Sequence, residues 1–148
     1  MKDYGYHIRQ GYFNAINGLI TYEFGVIPVV DEKLDGQLTE HDIYIKLSTQ
    51  NDQQVNTKCY FAATCEVVAN IVQRTKSVGG KMVVDDISDQ ILTLLFPTPQ
   101  TTTVAVPDPM QLSYARFENA STSPLQQIDS GFIQVKTLTF SNRVTQAQ

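Results

Sequence analysis

Apolar positions in this chain switch between two periods, and the switches divide it into elements. Over residues 7–22, HIRQGYFNAINGLITY, Ile8, Tyr12, Ala15, Ile16 and Leu19 recur at helical spacing, with Arg9, Gln10, Asn14 and Asn17 turned away. The spacing predicts an amphipathic helix, which Gly11 and Gly18 each weaken by about 1 kcal/mol relative to Ala. Gly25 closes it, and Val26, Ile27, Pro28, Val29 and Val30 follow as a short strand. Pro28 has no N–H to give to a ladder, so that strand belongs at a sheet edge. The acidic stretch Asp31 to His41 reads as a loop. Period 2 then takes over: Asp42–Ser48 sets Ile43, Ile45 and Leu47 against Tyr44 and Lys46, the cleanest strand pattern in the chain.

A polar loop, Thr49 to Asn56, leads into Cys59–Thr75, where Cys59, Phe61, Ala63, Cys65, Val67, Ala69 and Ile71 share one period-2 face. The alanines favour a helix there, but the alternation and the Val and Ile content favour a strand. Lys76 to Gly80 is a turn. The next segment, KMVVDDISDQILTLLF, places Val84, Ile87, Ile91, Leu94 and Leu95 on one helical face, with Asp85, Asp86 and Asp89 toward its N-terminal half and Pro97 and Pro99 ending it. Beyond a Thr/Pro connector, Thr102–Val106 and Met110–Glu118 read as strands around the turn Pro107-Asp108-Pro109. Asn119–Gln127 reads as a polar loop, Gly131–Phe140 as a final strand, and SNRVTQAQ as a frayed or partner-dependent tail.

The pattern predicts an α+β fold in the order α-β-β-β-α-β-β, with an optional eighth element. It is an antiparallel sheet with two helices packed on one face and extended loops. With 148 residues and 42% hydrophobic content, a single domain follows, its core at about residues 7–140 and a polar tail at 141–148.

Composition narrows the function classes. Eleven basic against fifteen acidic residues give a net charge of -4, without the positive footprint that phosphate binding requires. No run approaches the roughly 18 apolar residues of a membrane span. Two cysteines are too few for a secreted disulfide framework, and the N-terminus lacks an apolar leader, so the expected compartment is a reducing cytoplasm. The distinctive feature is uncharged polarity: Gln, Asn and Thr together make nearly a quarter of the chain, against 18% charged residues.

The motifs that resemble chemistry have simpler readings. Asp85-Asp86-x-x-Asp89 matches a magnesium-binding pattern of isoprenoid enzymes, but those are long and all-helical, and helix dipole and solvation account for acids here. His7 and His41 stand in no zinc-binding spacing. Cys59 and Cys65, six residues apart on one strand, lie roughly 20 Å apart and read as small core residues, beyond disulfide reach. Gly79-Gly80-Lys81 lacks the spacing of a phosphate loop. No acid, base and nucleophile converge, so no catalytic residue, metal ligand or cofactor is assigned, and the chain reads as a non-enzyme. Surface surplus to a monomer is the stronger signal: Tyr4, Tyr6, Tyr60, Val68 and Val72 are candidates to face away from the core. The candidate subunit interface comprises Val26, Ile27, Val29, Val30, Tyr60, Val68 and Val72.

Taken together, the helix IRQGYFNAINGLI, the segment GVIPVVD, the strand DIYIKLS, the loop VNTKC and the run VQRTKSVGGKMVVDDISDQILTLL resemble the tail-completion and tail-terminator proteins of tailed bacteriophages. The likeness covers about residues 7–140 and is one of element order; the loop before the second strand and the Thr/Pro connector depart from it. The resemblance implies a structural virion protein, made in the host cytoplasm, that forms or joins a ring at the head-tail interface. Its partners would be copies of itself and neighbouring portal, connector or tail proteins. DNA would pass through the lumen without sequence-specific contact, and an acidic ring would not grip it. A strand such as Val26–Val30, or the C-terminal segment, is placed to extend a neighbour's sheet. A non-viral oligomeric scaffold or adaptor is the competing reading, and a small hydrolase-type enzyme fits less well.

Overall fold

The computed structural model describes residues 3–23, 25–30, 41–75, 81–128 and 131–147. The expected loop Asp31 to His41 lies outside them except for His41, which begins a strand, and the turn at 76–80 with the glycines of the apparent phosphate loop also lies outside them.

Helix α1 spans Tyr4–Ile16. It begins three residues earlier than the apolar pattern indicates because Asp3 caps it, its carboxylate accepting from the backbone N–H of Tyr6 at 3.1 Å. It also ends sooner. Asn17 N–H closes on the Phe13 carbonyl at 2.8 Å, and Gly18, at φ +79°, turns the chain out of the helix. Leu19 therefore leaves the apolar stripe and is exposed, while Ile20 is buried. Tyr4, Ile8, Tyr12 and Ile16 are the buried stripe, so Tyr4 is core and not surplus surface; Tyr6 is exposed.

The expected strand Val26–Val30 is split. Thr21–Tyr22 (β1) and Gly25–Val26 (β2) form a two-stranded antiparallel pair, and Val29–Val30 (β3) runs parallel to Ile45–Lys46 at the edge of a separate six-stranded sheet. Pro28 lies between, its carbonyl accepting from Ile45 N–H at 2.9 Å. One parallel pair thus joins an otherwise antiparallel sheet.

The main sheet has the order β3-β4-β5-β8-β6, with β4 His41–Gln54, β5 Tyr60–Thr75, β6 Met110–Thr122, β7 Gln126–Ile128 paired to β8, and β8 Gly131–Ala147. Between β5 and β6 comes helix α2, Lys81–Leu95, ending before Pro97. The fold is α+β with both helices on one side. Their faces bury Ile43, Ile45 and Leu47 of β4, Ala63 to Ile71 at alternate positions of β5, and Leu138, Phe140 and Val144 of β8. Phe140 is central, with ring centroids 5.2, 5.7 and 6.0 Å from those of Tyr12, Phe117 and Phe96.

Four sequence expectations are corrected. The polar loop after residue 48 is strand to Gln54, because Gln50 and Gln53 remain in register with β5 around a bulge at which Asn51 takes φ +52°. The polar stretch 119–127 is largely strand, continuing β6 and forming β7 against β8. Thr102–Val106 is not a strand: Thr103 N–H bonds the Leu95 carbonyl at 3.0 Å, and Val104 packs into the core from an irregular connector. The C-terminal segment is not frayed. Residues 141–147 pair with β5 on one side and β6 on the other, so supplied hydrogen-bond partners decide what a weak apolar pattern could not.

Candidate assembly surfaces

Period 2 gives the sheet a second face, opposite the helices. Cross-strand partners share a face, so the register lays that surface out in rows: Lys46, Asn70, Thr137 and Ser121; Ser48, Val68, Thr139 and Asn119; Gln50, Glu66, Ser141 and Arg116; Gln53, Thr64, Arg143 and Tyr114. No described helix covers it. Thr, Ser, Asn and Gln dominate these rows, which locates much of the uncharged polarity of the composition. The groups bond along the face: Thr137 Oγ1 donates to Asn70 Oδ1 at 2.8 Å, Asn51 Nδ2 donates to Glu66, and Ser141 Oγ donates to Glu118.

The face is also the basic side of an acidic protein. Lys46, Arg74, Arg116 and Arg143 take positions on it, against three acidic residues: Glu66, Glu118 and Asp42, which stands opposite Arg74 in the register. The Arg116 guanidinium lies 4.2 Å from the Tyr114 ring centroid, and that of Arg74 lies 5.6 Å from the Tyr44 ring. The helix layer carries the opposite sign. Asp86 and Asp89 are exposed on α2 and Glu23 is exposed beyond β1, where Thr21 and Gln90 exchange hydrogen bonds of 3.0 and 2.7 Å. Asp85 differs: it pairs with Lys136 of β8 at 2.7 Å.

A second surface borders the free sheet edge at β6. Leu92, Thr93, Phe96, Pro99, Ala115 and Phe117 line a groove of about 550 Å³ between α2 and that strand, and Phe117 is 40% exposed. Sequence periodicity does not reveal this groove, since it joins residues of a helix, a connector and a strand remote in the chain.

The seven predicted interface residues do not form one patch. Ile27 and Val29 turn into the protomer's own core, so their side chains are not surface; they alternate with exposed Val26 and Pro28 in period 2. Val26 is 59% exposed on the small hairpin and Val30 is half-buried at the sheet edge. Tyr60 is half-buried at the start of β5, beside Pro109, Gln111 and Thr145. Val68 and Val72 do share the open face, each 7% exposed among its polar neighbours.

The residues considered for chemistry are dispersed. Cys65 is buried and Cys59 is exposed just before β5, contrary to its expected core position, because the strand begins after it. His7 stacks edge-on against Tyr6 at 5.1 Å, and the His41 side chain lies outside the described residues. Among the described residues no three His, Cys, Asp or Glu side chains are grouped to hold a metal. No described helix is long and apolar enough to cross a membrane.

A long-stranded sheet with helices on one face, a second face that no described helix covers and a free edge defines an α+β protein. No family model and no curated protein matches the sequence. The fold is similar to that of a chain in the virion of a native gene transfer agent particle. The TM-score is 0.56 at 16% sequence identity, and the match covers 79% of this chain and 78% of that one.

Proposed function

We propose that this chain is a structural component of a phage-like virion that forms or joins an oligomeric ring at the head-tail interface, acting as a tail terminator, tail-completion or connector subunit. The observation that carries the reading is the fold likeness to a chain of a gene transfer agent virion, which extends over most of both chains. One feature agrees with it: on the open sheet face uncharged Ser, Thr, Asn and Gln outnumber the charged side chains and offer hydrogen-bonding groups to a neighbouring copy. Its partners are copies of itself and adjoining portal, connector or tail proteins. A heterologous contact between identical copies closes into a ring when its rotation divides the circle. Of the predicted interface residues, Val26, Val30, Tyr60, Val68 and Val72 remain candidates for these contacts.

Deleting the gene from the genome that encodes it tests the role. Particles should then accumulate as heads and tails that fail to join, and electron microscopy of the purified protein should show rings. Normal, infectious particles lacking the chain would overturn the proposal.

A further inference from the structure

We infer that the open sheet face of one copy seats the acidic outer face of α2 of a second copy. The inference rests on the ring reading above, in that copies of the chain must associate, and it names the two surfaces that meet.

The argument starts from the separation of charge. In a chain of net charge -4, Lys46 and Arg143 stand on the open face with no anionic partner among the described residues, and Arg116 stacks on Tyr114. Across the protomer, Asp86, Asp89 and Glu23 are exposed with no cationic partner among the described residues, whereas Asp85 is already neutralised by Lys136. The sheet lies between the two sets, so one chain cannot pair them internally. A second copy can. Because the surfaces occupy opposite layers, the contact is heterologous: each copy offers its sheet face to one neighbour and α2 to the next.

The middle of the open face suits such a contact. There Thr137 and Asn70 already bond each other, so covering that pair leaves neither of its bonded atoms unpaired. The charges carried by the two surfaces select the partner and orient it. The pairing also places these cations between protomers, consistent with a lumen that does not hold DNA.

Sedimentation velocity over a range of protein and NaCl concentrations tests the inference with two double variants, Lys46→Glu with Arg143→Glu, and Asp86→Lys with Asp89→Lys. Each alone should dissociate at least tenfold more readily than the wild type, with an unchanged circular dichroism spectrum. Mixed together, they should regain association, since each supplies the face the other has lost. Wild-type assembly unaffected by either variant would overturn the inference while leaving the ring reading intact; a wild type that stays monomeric would remove both. If Lys46→Glu with Arg143→Glu abolishes retention on duplex DNA while assembly is unchanged, the face serves a polyanion and the inference fails.

Discussion

The Tyr12 hydroxyl donates a 2.6 Å hydrogen bond to Asn142 Oδ1, joining α1 to β8 across 130 residues in a fully buried setting. Asn142 in turn donates to the carbonyls of Cys65 and Phe140, at 3.3 and 3.4 Å. This one side chain ties the first helix to two central strands. Tyr12→Phe leaves an acceptor buried without its donor, and should cost about 1–3 kcal/mol, read as a lower urea midpoint at unchanged m.

The burial of Tyr12 also sets a response to alkali. Burial holds the Tyr12 phenol well above its ordinary value of 10, so the folded chain keeps the proton that the unfolded chain releases. The contribution is fully present below pH 10 and is lost as pH rises above it. The stability difference between wild type and Tyr12→Phe should therefore shrink by about 1.4 kcal/mol per pH unit above 10. Parallel curves from pH 9 to 11 would contradict the assignment. Tyr4, also raised by burial, contributes equally to both proteins and cancels.

Gly11 offers a test of packing against propensity. An added Cβ would stand 2.4 Å from the Ala105 carbonyl oxygen and 3.2 Å from Val104 Cγ1, so the connector rests directly on the helix backbone. Helix propensity alone would favour Gly11→Ala by about 1 kcal/mol. Overpacking of this kind costs about 1–3 kcal/mol, and the clash is with backbone, which cannot swing aside. The variant should melt below the wild type. A raised melting temperature would show that the connector yields.

The two thiols should differ sharply in reactivity. Burial pushes the Cys65 thiol up to about 12, with the carboxylates of Asp52 and Asp3 adding to the effect, whereas Cys59 is exposed. Since the thiolate is the nucleophile, a disulfide reagent at pH 8 should modify one thiol per native chain promptly and the second only on unfolding. Equal rates for both would place Cys65 at the surface.

Much of the fold was legible in the chain. The Asp42–Ser48 and Cys59–Thr75 alternations and the α2 stripe each buried a continuous apolar face, so period alone decided their type and which side met the core. Legibility failed where a segment had little apolar content of its own. Residues 141–147, 119–122 and 126–128 became strands because β5, β6 and β8 offered backbone partners, an influence no local window contains. Tyr4 is buried because the cap at Asp3 starts the helix early, and Ile27 and Val29 are buried because alternate positions of an all-apolar run face the core, a side that a run without polar positions does not reveal.

By itself the sequence determined the fold class, the two core-facing helical and strand patterns, and a surface rich in uncharged polar groups. Only the tertiary structure decided where that surface lies. Cross-strand register gathers residues from β4, β5, β6 and β8 onto one uncovered face, and sorts Lys46 and Arg143 away from Asp86 and Asp89. Local periodicity fixes which side of a strand a residue takes. It carries no information about which strands lie side by side, because that pairing is set by contacts between segments remote in the chain, as Tyr60 with Ala147.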